Sequence, residues 1–290
     1  MNDRQSTGIL ALDRALGGGL IPGTLTMVLG ATGVGKTQLG MHYSFAGQSQ
    51  DGCCGAIVDF SSRGDSQNHD GYSSRMFERA LELSDPAAET LPCPFRDGRP
   101  KDVLPFLGYR GQRVLRSQMD VDAWHAWQSE LNRRLPLLVR FVYGHLVHGT
   151  RRFLIDGIEP QENAEDSLQL DLLEYLYHRM LRKEHDWLAR EVFRHEFLAM
   201  SGHVAQHAYD NRQATAMVLV TTKETMLEQL MTRPWSDGDL AAGANTIVLM
   251  GRIFADGRMG RGLYIAKHRG SATDDRIHRF EINDAGLEIQ

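Results

Sequence analysis

The chain has little cysteine: Cys53, Cys54 and Cys93 are its 3 thiols in 290 residues, and their spacing offers no metal-ligand set. Adjacent Cys53 and Cys54 read as small buried residues of a strand rather than as a disulfide, which fits a reducing cytoplasm. No run of eighteen apolar residues occurs, which excludes a membrane-spanning helix. The opening Met1-Asn2-Asp3-Arg4-Gln5-Ser6 lacks the basic and apolar regions of a secretory leader. No internal repeat or low-complexity tract is present. Excess positive charge is missing too. The net charge of −5 speaks against a protein whose main task is to coat nucleic acid. What remains, 42% hydrophobic and 24% charged residues, is ordinary for a globular chain. The length suits one large α/β domain, or one with a sizeable insertion.

The strongest motif is Gly30-Ala31-Thr32-Gly33-Val34-Gly35-Lys36-Thr37, which fits the phosphate-binding pattern G-x-x-x-x-G-K-[ST]. Glycines let successive backbone N–H groups turn inward on a phosphate chain. Lys36 can reach the β- and γ-phosphates, and the Thr37 hydroxyl can hold Mg²⁺. The context agrees. Thr24–Leu29 reads as a buried strand entering the loop, and 37–43 as the start of a helix whose N-terminus favours anions. A glycine-rich turn without ligand is the plain alternative.

Further strands are expected at 55–60, 153–156, 216–221, 245–250, 263–267 and 277–282, with Asp102–Phe106 at a sheet edge because Pro105 lacks the N–H of an interior strand. Helical patterns cover 72–83, with Met76, Phe77, Ala80 and Leu81 on one face, then 120–147 and 165–212. Pro136 is expected to break or kink the second of these. Alternating strands and helices indicate a mostly parallel sheet, and the strand-rich end adds antiparallel strands at one edge. Ser6 or Thr7 is a candidate cap for a short first helix. Asp156, closing the apolar run Phe153-Leu154-Ile155, is placed to organise a Mg²⁺ shell beside Thr37; a helix cap or turn residue is its alternative.

Together these features resemble the KaiC/RadA-like branch of the RecA superfamily. The lead-in Ser6-Thr7-Gly8, Leu12-Asp13 and Leu16–Gly23 is similar to that branch, and Gly262–Ser271 with Phe280-Glu281-Ile282 and Gly286-Leu287 resembles KaiC more specifically. The similarity covers 6–60, 151–157 and 215–289. It implies an α/β RecA-like core over 1–290 as one domain, with atypical insertions at about 61–120 and 160–213. It further implies ATP with Mg²⁺, bound by residues 30–37 and Asp156, and a homo-oligomeric ring, a hexamer, with nucleotide held between subunits. The resemblance assigns Lys267 and Arg269 to the γ-phosphate on a neighbouring subunit. Alternation on a strand puts positions i and i+2 on one face, so the two can address one anion. Solvated edge charges are the alternative.

One family feature is missing. The glutamate that orients water after the second strand falls here at Ser61 or Ser62, neither of them a useful base. Asp59, Asp65 and Glu159 are the substitutes, Asp59 first by position, although its side chain is a methylene shorter. ATP binding is therefore expected more firmly than hydrolysis, as in a slow ATPase or nucleotide-gated switch acting through protein partners.

Two rivals are a DNA recombination accessory ATPase and an inactive nucleotide-binding scaffold. The loop 157–166 carries four carboxylates and no basic residue, which makes nucleic acid a poor partner. Arg110, Arg113, Arg116, Arg133 and Arg134 form no motif. His203 and His207 have i, i+4 metal-ligand spacing, but with His185 and His195 they read as solvated. Trp187, Phe193, Phe197, Trp124 and Trp127 read as core packing, with a partner-binding arm as the alternative.

Overall fold

The computed structural model describes residues 4–61, 68–85, 91–95, 98–107, 119–159, 168–233, 238–255 and 257–290. Asp65, Arg110, Arg113, Arg116 and most of the acidic loop 157–166 lie outside them. The elements run α1 (Leu10–Ala15), β1 (Leu25–Gly30), α2 (Lys36–Gln50), β2 (Ala56–Asp59), α3 (His69–Phe77), β3 (Val103–Pro105), α4 (Val121–Val147), β4 (Arg152–Ile158) and α5 (Leu168–Glu174). A π-turn at Tyr175–Leu181 extends α5. Then come α6 (His185–Phe193), α7 (Phe197–Gln206), β5 (Thr215–Thr221), α8 (Leu227–Thr232), α9 (Gly238–Gly243), β6 (Thr246–Ala255), β7 (Arg258–His268), β8 (His278–Asn283) and β9 (Gly286–Ile289).

The described strands form one 9-stranded sheet in the order β3-β2-β4-β5-β1-β6-β7-β8-β9. From β3 to β6 the pairing is parallel, and β7, β8 and β9 add on antiparallel. This is a RecA-like α/β core. Strand β1 is buried along its whole length, and its alternation feeds two cores. Leu25, Met27 and Leu29 face the layer of α4 to α7, while Val28 faces that of α1 and α2. Pro105 closes the edge strand as expected.

Several local expectations are corrected. Helix α4 is not broken at Pro136, because nine of the ten residues Leu137–Leu146 are buried, all but Arg140, and their packing outweighs the roughly 3 kcal/mol that an interior proline costs. Helix α3 ends at Phe77, where Glu78 turns left-handed at φ 53°, so Ala80 is exposed and only Leu81 returns to the core. Cys53 and Cys54 sit in the turn before β2, with free thiols. Ser6 and Thr7 do not cap α1. Instead both hydroxyls donate to the Asp13 carboxylate, at 2.5 and 2.7 Å, tying the lead-in to its own helix. No described helix is long and apolar enough to cross a membrane.

Candidate functional site

The phosphate-binding motif forms the turn from β1 into α2. Gly33 and Gly35 have φ of 76° and 116°, values that side chains resist. A Cβ at Gly35 would also meet Ile282 at 2.8 Å. Thr32 and Gly33 are exposed at the tip, whereas Ala31 and Val34 bury their side chains. The loop is thus anchored by apolar groups and open where its backbone faces out.

Lys36 is only 7% exposed. Its Nζ donates to the carbonyl oxygens of Gly30 at 2.8 Å and Ala31 at 3.0 Å. Among the described residues no carboxylate forms an ion pair with it, and the first turn of α2 holds no acid. Burial pulls its pKa down to about 8, only partly opposed by Asp156. A cation buried at the positive end of a helix, with no ion-pair partner among the described residues, fits an anion. The residues present therefore suit a phosphate chain.

The carboxylates lie beside it at the carboxyl ends of parallel strands, where ligands of open α/β sheets bind. Asp59 and Asp156 are register partners on β2 and β4. Asp156 is 2% exposed. Its Oδ1 accepts the Gly157 N–H at 2.7 Å, and its Oδ2 accepts the Thr37 hydroxyl at 3.0 Å. The same Oδ2 pairs with His69 Nε2 at 3.2 Å. Burial alone would raise the Asp156 pKa, but His69, the Gly157 N–H and the Thr37 hydroxyl bring it below the usual carboxylate range. Asp59 moves the other way. Burial raises its pKa despite His69 and the Ser61 N–H, which donates to Oδ1 at 2.7 Å. Thr37 and Asp156 supply the hydroxyl and carboxylate that a Mg²⁺ shell beside phosphates uses.

Glu159 stands one residue past the end of β4, and its N–H donates to Gln169 Oε1 at 2.9 Å. The amide nitrogen of Gln169 donates to the carbonyls of Phe60 and Gly157, both at 2.7 Å. This buried glutamine clamps the ends of β2 and β4 together. Lys267 and Arg269 are not part of this cluster. Lys267 pairs across the sheet with Ile247, whereas Gly30 neighbours Met250, about 10 Å farther along β6 at the usual strand rise. Lys267 Nζ donates to the carbonyls of Ala241 and Ala242 at 3.1 and 2.9 Å, and Arg269 donates to Ala242 at 3.1 Å.

The structure thus gathers residues 30–37, Asp59 and Asp156, sets Glu159 at the margin, and leaves Lys267 and Arg269 on the opposite rim. The reading of the sequence missed His69 and Gln169. A lone histidine after a polar loop carries no motif, and only the capping pattern of Asn68, whose side chain accepts the Gly71 N–H at 2.8 Å, marks the helix that delivers it.

The other candidates resolve plainly. His185 is buried rather than solvated, with Nε2 2.8 Å from the Val204 carbonyl. His195 and His203 are exposed as expected, and no described cluster of His, Cys, Asp or Glu could hold a metal by itself. Phe193 is core, and Phe197 and Trp127 pack partly against it, but Trp187 remains 40% exposed. Arg133 pairs with Glu130, and Arg134 donates to the Leu107 carbonyl.

A family model described as ATPase: KaiC matches residues 5–69. The match spans the lead-in, the phosphate-binding loop and β2, and ends on His69. No curated protein matches the chain. Over that stretch the chain is similar to KaiC-type ATPase domains.

Proposed function

We propose that the chain binds ATP with Mg²⁺ and works as a slow ATPase or nucleotide-gated switch, assembled as a homo-oligomeric ring and acting through protein partners. The observation that carries this reading is Lys36: buried, without an ion-paired carboxylate among the described residues, behind an open glycine loop. The loop N–H groups and Lys36 hold the phosphates. Thr37 and Asp156 hold the metal, which when bound neutralises charge on the phosphate oxygens. Asp59 is the first choice for positioning water, since burial makes it more basic than an ordinary carboxylate and it stands in register with Asp156. Glu159 is the second. Lys267 and Arg269 address the γ-phosphate held by a neighbouring copy.

A nucleotide-binding scaffold without turnover is the second reading. It is favoured by the Asp59 Oδ1 atom being occupied by the Ser61 N–H. The test is calorimetric titration of ATP and Mg²⁺ into the wild type and Lys36→Ala. Loss of charge-assisted hydrogen bonds to phosphate lowers affinity by at least about tenfold. Equal affinities overturn the assignment. Phosphate release by the wild type that Lys36→Ala abolishes decides for turnover.

A further inference from the structure

His69 reaches the metal-side carboxylate from outside the phosphate-binding motif. It is the first residue of α3 and only 4% exposed. Its place is fixed from several sides. Asn68 caps the helix, the Asp70 carboxylate accepts the Leu81 N–H at 2.8 Å, and the buried Ser73 hydroxyl donates to the Arg79 carbonyl at 2.5 Å. Phe77, at the far end of α3, stacks on Phe45 of α2 with centroids 4.0 Å apart. The helix carrying His69 is thereby packed on the helix carrying Thr37.

The consequence falls on Asp156. Among the described residues three donors hold its carboxylate: the Gly157 N–H on Oδ1, and the Thr37 hydroxyl and His69 Nε2 on Oδ2. The Gly157 and Thr37 bonds belong to the strand end and the phosphate-binding loop. The His69 bond is the contribution from a third element. Asp59, the half-buried register partner of Asp156, also feels the His69 charge, which offsets the repulsion between the two neighbouring carboxylates.

We propose that His69 is a positioning residue for the metal-holding pair Thr37–Asp156. It keeps the Asp156 carboxylate turned toward Thr37 and so governs the Mg²⁺-dependent part of nucleotide affinity, without touching the nucleotide. This rests on the reading of residues 30–37 as a Mg²⁺–ATP site. Partners behind a metal ligand orient it and tune its affinity; their removal costs about 10- to 100-fold in metal binding.

The test is a Mg²⁺ titration at fixed ATP, beside ATP binding in EDTA, for the wild type, His69→Ala and His69→Gln. The expected result is a roughly tenfold or greater rise in the Mg²⁺ concentration His69→Ala needs, unchanged ATP affinity in EDTA, and substantial recovery in His69→Gln, whose amide can donate in place of the imidazole. Equal Mg²⁺ dependence in His69→Ala and the wild type overturns the proposal. So does an equal loss with and without Mg²⁺, which marks a general disturbance of the fold. If His69→Ala does not fold, His69→Gln against His69→Met, similar in length and differing in the donor, decides by the same criteria. A wild type that binds no ATP would instead overturn the underlying site reading.

Discussion

Helix α2 has a buried cation at each end, and the two are treated in opposite ways. At its C-terminus Arg152, 0% exposed, is fully partnered. It pairs with Asp51 at 2.8 Å, donates to the carbonyls of Ser6 and Tyr43 at 2.6 and 3.2 Å and to Gln50 Oε1, and lies over the Tyr43 ring. A positive charge there also suits the helix dipole. At the N-terminus Lys36 has the wrong sign for the dipole, and among the described residues its hydrogen bonds go to two carbonyls, with no ion-paired carboxylate. A buried cation whose needs are met within the chain is structural. On the proposed reading, one left short of negative charge is held for a ligand.

The largest effect should come from the satisfied end. Arg152→Met leaves the Asp51 carboxylate buried, with the half-exposed Arg151 at 3.9 Å as its remaining ion-pair partner among the described residues. Breaking such a pair costs about 3–5 kcal/mol, readable by chemical denaturation. Lys36→Met should not lower the stability of the nucleotide-free protein, because it removes a charge that burial disfavours. It should remove the stabilisation by ATP, which for the wild type is about 2.7 kcal/mol at a hundredfold excess over Kd. If Lys36→Met unfolds the free protein as Arg152→Met does, the contrast between the two ends is wrong.

The same contrast predicts a pH dependence. Lys36 titrates at about 8 in the fold and at 10.5 in a solvated chain. Between these values the unfolded state binds more protons, so this group makes stability rise with pH there, and lose that gain as pH falls through 8. Phosphate binding favours the protonated amine, so ATP affinity should do the reverse and fall as pH rises through about 8. One residue thus gives opposite slopes to stability and to affinity. Denaturation and calorimetry at pH 7, 8 and 9 measure both, and Lys36→Met should flatten both. Parallel slopes would show that Lys36 is not the group responsible.

How much of this was legible in the sequence follows from how far apart the partners lie along the chain. The loop at 30–37 and Lys36 are contiguous, and a strand, a turn and a helix in order announce them. Asp156 was legible because an apolar run ended on it. The antiparallel end was legible because the turn at Asn283–Gly286 is local. His69 was not, because its meaning depends on β2 and β4 pairing in the register that brings Asp156 beside α3. His185 was misread for the same reason: its helix has a polar sequence, but α7 covers it and offers the Val204 carbonyl. The helix continuing past Pro136 was not legible because local cost was weighed without the burial of nine of the ten residues that follow.

The smallest effect concerns the opposite rim. Lys267 and Arg269 donate to the last carbonyls of α9, where cations offset the negative end of a helix by about 0.3–1 kcal/mol. Replacing both with alanine should therefore cost the free chain little, and ATP affinity at concentrations where it is a single chain should not change, since neither group reaches its own phosphate-binding loop. Within the proposed ring these side chains would exchange helix carbonyls for phosphate oxygens of the neighbouring site, a stronger, charge-assisted partner. ATP-dependent assembly, followed by sedimentation, should then fail in the double variant while single-chain binding persists. If the double variant assembles with ATP as the wild type does, the pair is merely a helix cap. If single-chain ATP affinity falls with it, Lys267 and Arg269 act on their own loop, and the separation of the two rims loses its functional meaning.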